Sequence, residues 1–99
     1  MDDQIGRVLA ALDARGMRDD TIVVFHSDNG GTRSAKFTGE IDMSKSSIPC
    51  DNGPWREGKG TLYEGGVRVP FLVSWPDRLP GGTSYDQPVI SLDAFATAL

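Results

Sequence analysis

Two short apolar runs, Thr21-Ile22-Val23-Val24-Phe25-His26 and Val67-Arg68-Val69-Pro70-Phe71-Leu72-Val73-Ser74-Trp75, are separated by a stretch from Ser27 to Gly60 in which no hydrophobic period survives. This arrangement constrains the fold more than any other feature of the chain. A run rich in β-branched residues and without polar alternation reads as a strand buried on both faces. A structureless connection as long as 27–60 is uncommon inside a compact domain and usually means function or disorder. Within it, Lys36 to Ser47 reads as the most mobile part, and Arg56 to Gly60 as more constrained.

The flanks supply the rest of the architecture. Over residues 2–15, Ile5, Val8, Leu9 and Leu12 recur at three- and four-residue intervals while Asp13 and Arg15 point to water, which predicts an amphipathic helix. Asp2 and Asp3 sit where the helix dipole favours negative charge, and Gly16 is a natural stop. A strand over 21–26 follows. Pro70 removes a ladder donor, so the second regular strand is expected over 71–75. After a turn-rich connection, Ser91 or Asp93 opens a further helix over 91–99, with Phe95 and Leu99 as its first apolar residues. Helix followed by apolar strand is the pattern of an α/β protein. The expected fold is thus an α/β sheet with flanking helices and a long loop between two apolar strands. The sequence stops inside the last helix, so the chain reads as a piece of a larger domain.

Composition narrows the function classes. A chain of 99 residues buries roughly 60–70% of its unfolded surface, so any core is modest. Hydrophobic content of 38%, with 12 Gly and 6 Pro, points to abundant loops. The net charge is −4 and no run of Lys or Arg forms a basic stripe, which argues against a nucleic-acid partner. No stretch approaches the roughly 18 apolar residues of a membrane span. Met1-Asp2-Asp3-Gln4 has no apolar signal core, so an export signal would lie outside this sequence. Cys50 is the single cysteine, and no internal disulfide can form.

The candidate chemistry lies at the end of the first strand and in the loop. Asp28 and Asn29 follow the strand directly, at the place where ligands gather in open α/β sheets, and both offer the hard oxygen donors that Ca²⁺ prefers. Gly30 and Gly31 let the backbone turn away and leave both side chains free to face one ion. The plainer reading is a turn whose side chains bond to their own backbone. Lys59, between two glycines, either holds an anion as a point charge or is a solvated loop lysine. Trp55 and Arg56 either wall a sugar or aromatic ring or anchor the loop. His26 either touches substrate or packs locally. Glu64 and Arg68, four apart, pair if their segment is helical. Cys50 has no Ser, His or second Cys at a telling distance.

Taken together, Ser27-Asp28-Asn29-Gly30-Gly31, Gly58-Lys59-Gly60-Thr61-Leu62-Tyr63-Glu64-Gly65-Gly66-Val67-Arg68-Val69-Pro70, the strand ending Trp75-Pro76, and Asp86-Gln87-Pro88-Val89-Ile90-Ser91-Leu92-Asp93 resemble the arylsulfatase family of the alkaline phosphatase superfamily over nearly the whole chain. The resemblance implies a partial alkaline-phosphatase-like sheet and a sulfuric-ester hydrolase. It implies Ca²⁺ ligation by Asp28 and Asn29 and catalytic binding of the sulfate ester, near its leaving oxygen, by Lys59. The family nucleophile is a formylglycine made from a Cys-x-Pro-x-Arg motif. Cys50 is followed by Asp51-Asn52-Gly53, so that nucleophile is expected upstream of this sequence. Implied partners are a sulfate-ester small molecule or sulfated sugar and the remainder of the parent catalytic domain. A periplasmic, secreted or lysosomal location is implied too. Two metal ligands fall short of the six to eight that Ca²⁺ takes, so the chain alone is expected to be inactive. The competing expectations are a phosphodiesterase or phosphomutase of the same superfamily, which needs Asp- and His-rich metal ligation and a Thr or Ser nucleophile, and a non-catalytic module.

Overall fold

The computed structural model describes residues 1–33 and 50–99. The expected mobile insertion over 36–47 lies outside the described residues. In chain order the elements are helix α1 (Asp2–Asp13), strand β1 (Val23–His26), a one-turn helix α2 (Glu64–Val67), strand β2 (Phe71–Ser74) and helix α3 (Ser91–Ala98). They fall into two compact units, one formed by Met1–Phe25 with Leu72–Leu99, the other by His26–Phe71. Helices with a two-stranded antiparallel sheet are compatible with the α/β class. Among the described residues no helix is long and apolar enough to cross a membrane.

In the first unit, α1 opens with Asp2 and Asp3 in its first turn. It turns a stripe of Ile5, Leu9 and Leu12 inward to half-burial, while Val8 stays 61% exposed. The α-helical hydrogen bonds end two residues short of the periodic pattern. Gly16 N–H donates to Asp13 O (3.0 Å) and Met17 N–H to Leu12 O (3.0 Å), and Gly16 takes φ +62°. This pair of bonds around a left-handed residue is the Schellman closure, which needs glycine at that position. Arg18 then reaches back to donate from Nη2 to Ser74 Oγ (2.6 Å).

The strands differ from expectation in burial. β1 alternates between half-buried and exposed residues, with Val24 37% exposed, and in β2 Leu72 and Val73 are 61% and 39% exposed. An unbroken apolar run states what a strand is able to bury. Among the described residues each strand has a single hydrogen-bonded neighbour, and half of its residues are exposed. β2 also ends at Ser74 rather than Trp75, because the Trp75 carbonyl accepts from the N–H groups of Arg78 (3.0 Å) and Leu79 (2.8 Å) and starts a turn. α3 begins where the Asp93 carboxylate accepts the Ile90 N–H (2.8 Å), one half of a capping box. Ile90 has no side-chain acceptor to supply the other half.

Candidate functional site

Every candidate residue lies in the second unit, His26–Phe71. The chain leaves β1 at His26, whose ring stacks on Phe71 at 5.5 Å between centroids, with Nδ1 3.0 Å from the Ser27 carbonyl. These contacts match the local-packing reading of His26. Ser27 Oγ then donates to Asn29 O (2.7 Å), closing a tight serine turn. Asp28 lies at its exposed tip, with no hydrogen bond or ion pair from its carboxylate among the described residues. Asn29 is half-buried, and its Nδ2 donates to Gly30 O (3.0 Å). That bond uses the amide side of the carboxamide and leaves Oδ1 as its acceptor. Turn and ligand readings are therefore compatible: one amide proton serves the turn, and the bond leaves the Asp28 carboxylate and Asn29 Oδ1 unused.

The next residue packs against backbone. Gly30 N–H donates to Gly66 O (2.9 Å), and a Cβ on Gly30 would land on the Gly65 carbonyl oxygen. Gly58 lies equally close to Gly31, where a Cβ would strike the Gly31 carbonyl and come 2.7 Å from Asn52 Nδ2. Only glycine permits two chain segments to approach so closely.

The second contact places Lys59. Its N–H donates to Gly31 O (3.2 Å), and Thr61 N–H closes back on Gly58 O (3.1 Å), reinforced by Thr61 Oγ1 (2.9 Å). Gly60 has φ +91° while Lys59 does not have positive φ, the signature of a type II turn with glycine third. Lys59 thus occupies an exposed corner of a rigid turn bonded to the residue that ends Asp-Asn-Gly-Gly. The structure brings the backbones of the Asp28–Gly31 and Gly58–Thr61 turns together.

Asn52 ties the same two segments with its side chain. Oδ1 accepts the Gly31 N–H (2.9 Å), and Nδ2 donates to both Gly31 O (2.9 Å) and Glu57 O (2.9 Å). Glu57 itself has φ +62°, a left-handed conformation costing a non-glycine residue roughly 1–2 kcal/mol. Sequence reasoning passes over Asn52. The Asn52-Gly53 pair signals a turn, and nothing in the sequence points its carboxamide at a residue 21 positions away.

Trp55 and Arg56 do not stack on each other. The Arg68 guanidinium lies 4.3 Å from the Trp55 ring centre, and that of Arg56 lies 3.9 Å from the Tyr63 ring centre. Arg68 also pairs with Glu64 at 3.3 Å. The Glu64–Arg68 spacing is compatible with the α2 turn, while Gly65-Gly66 disfavours a helix. The turn forms because Gly65 N–H is held by Arg56 O (2.9 Å) and Arg68 N–H by Glu64 O (2.8 Å). Each exposed cation–π contact is worth about 0.5–1 kcal/mol, so these pairs trim the loop against α2 rather than set its course. Cys50 is a free, half-buried thiol packed beside Gly31, where a Cβ would come 2.6 Å from its own Cβ. Among the described residues no three His, Cys, Asp or Glu side chains gather around a common metal position.

This geometry can be set beside known proteins. The family model described as Sulfatase matches residues 1–99, the entire chain. The chain belongs to the sulfatase family. Its relatives include the steryl-sulfatase of Mus musculus, 42% identical over 97 residues, which covers 98% of this chain and 15% of that protein. A sulfatase of Formosa agariphila is 38% identical over 106 residues, 98% of this chain and 17% of its own length. The N-acetylgalactosamine-6-sulfatase of Canis lupus familiaris is 33% identical over 99 residues, 100% of this chain and 17% of its own length. This sulfatase segment therefore spans about a sixth of the length of the curated relatives it matches.

Proposed function

We propose that these 99 residues form the part of a sulfuric-ester hydrolase that contributes Asp28 and Asn29 to a calcium ion and Lys59 to the sulfate ester. The observation that carries this reading is the Lys59 N–H bonded to Gly31 O, which joins the lysine turn to the turn bearing the two oxygen donors. The donor set fits the ion: an exposed carboxylate and a carboxamide oxygen are the hard ligands calcium takes, and the Asn29 bond to Gly30 O engages Nδ2 rather than Oδ1. Two donors are a minority of the six to eight the ion needs, so the remaining ligands come from other chain.

A calcium ion held there would supply positive charge to offset the negative charge that grows as a sulfate ester is attacked. Asp28 and Asn29 hold that charge at the tip of β1. Lys59, fixed at the corner of its turn, sets an ammonium against the ester oxygen that leaves with the alcohol, and offsets its developing charge. Trp55 and Arg56 border the substrate side of the loop. Cys50 lacks the following Pro and Arg of the formylglycine motif, so the nucleophile is supplied by chain outside this sequence.

The test uses a full-length sulfatase carrying this segment, assayed on an aryl sulfate with calcium present. Lys59→Ala should lower kcat by about 100-fold, the range for removing one charge-stabilising donor. Its melting temperature should fall far less than its turnover does, because Lys59 is exposed. Wild-type turnover in Lys59→Ala would remove Lys59 from the site.

A further inference from the structure

We infer that Asn52 is a positioning residue for this site: its carboxamide sets the spacing between the turn that carries Asp28 and the turn that carries Lys59. The inference rests on the site reading above and adds a residue to it.

The hydrogen bonds dictate the orientation of the amide. Oδ1 faces the Gly31 N–H, and Nδ2 faces two carbonyl oxygens, those of Gly31 and Glu57. The flipped amide would press NH₂ against N–H and an oxygen against two oxygens, so one assignment alone is chemically consistent. In it both Nδ2 protons are used. The two bonds to Gly31 reproduce what a neighbouring strand offers, a donor and an acceptor to one residue. Gly31 O in turn receives Asn52 Nδ2 and the Lys59 N–H, which fills both of its lone pairs. Asn52 thus holds the carbonyl that holds Lys59. The third bond, to Glu57 O, secures the left-handed residue two places before Lys59.

No other residue type reproduces this pattern. Aspartate keeps the shape and turns a carboxylate oxygen toward two carbonyls. Glutamine adds a methylene where Gly58 and Gly31 already close on the amide. Alanine leaves the Gly31 N–H without its partner.

The experiment compares wild type, Asn52→Asp and Asn52→Ala in a full-length sulfatase carrying this segment. It measures aryl sulfate kcat and KM per folded molecule, the calcium concentration for half-maximal activity, and hydrogen exchange of peptides covering 28–33 and 57–61. Asn52→Asp should lower kcat by about 10–100-fold, the usual cost of losing a group that orients a ligand. KM should stay within about threefold, and the calcium midpoint should rise about tenfold. Asn52→Ala should move the same quantities in the same direction and speed exchange in both peptides. A purely structural residue would lower melting temperature and yield while kcat per folded molecule and the calcium midpoint stay put, and that result in Asn52→Ala overturns the inference. Unchanged exchange in Asn52→Ala also overturns it. A wild type without calcium-dependent turnover sinks the site reading instead, and the exchange data still judge the clamp separately.

Discussion

α1 and α3 have the apolar spacing of ordinary amphipathic helices, yet neither contains a buried residue. The four buried residues among those described, Gly30, Gly58, Gly65 and Gly66, all lie between His26 and Phe71, where the described residues outside the ends of β1 and β2 form one short helix. Leu92 and Phe95 of α3 are 74% and 70% exposed, whereas Gly30 would meet the Gly65 carbonyl if it gained a single carbon. The contrast separates two ways of making order. A helix face is stabilised by what it packs on, and its apolar residues gain nothing while they face water. Among the described residues, the glycine-rich region packs backbone on backbone and joins distant turns through N–H and C=O groups and the Asn52 carboxamide. The site proposed for Asp28 and Lys59 would draw on the second kind, because a ligand site needs its groups held in fixed geometry.

The same substitution placed in each region breaks or sharpens this comparison. Gly30→Ala should have the largest effect, because the new Cβ meets backbone that cannot swing aside and the Gly30–Gly66 hydrogen bond is lost. We expect a loss of about 3 kcal/mol, the upper end for overpacking, with abolished turnover in the full-length enzyme, read by chemical denaturation and aryl sulfate assay. Gly16→Ala should cost about 1 kcal/mol, the penalty of left-handed backbone alone. A Cβ there meets nothing within 4 Å, and turnover should be unchanged. Equal costs at the two glycines would erase the distinction between a steric lock and a simple helix stop.

Local periodicity made parts of the fold legible and left the site geometry mostly hidden. The spacing of Ile5, Leu9 and Leu12 and the glycine at 16 correspond to α1 and its closure, because both depend on neighbours a few residues away. The apolar runs correspond to β1 and β2, but their burial was overstated, since composition does not reveal how many faces are covered. Asp28, Asn29 and Lys59 were singled out by chemistry and resemblance. The bond joining their turns, Lys59 N–H to Gly31 O, spans 28 positions and leaves no periodic trace. The Asn52 contacts, 21 positions from Gly31, are hidden for the same reason. α2 is legible only as a conditional Glu64–Arg68 pairing, because its Gly65-Gly66 core contradicts helix propensity and is held by Arg56 from outside.

The central claim, that the turn after β1 holds calcium, is tested most directly by the thermal stability of a full-length sulfatase carrying this segment, with calcium and with chelator. A ligand bound only by the folded state at 100 times its Kd stabilises by about 2.7 kcal/mol. The wild type should therefore melt several degrees higher in calcium, and Asp28→Ala should lose most of that gain. The same calcium-dependent rise in Asp28→Ala as in the wild type would contradict the account.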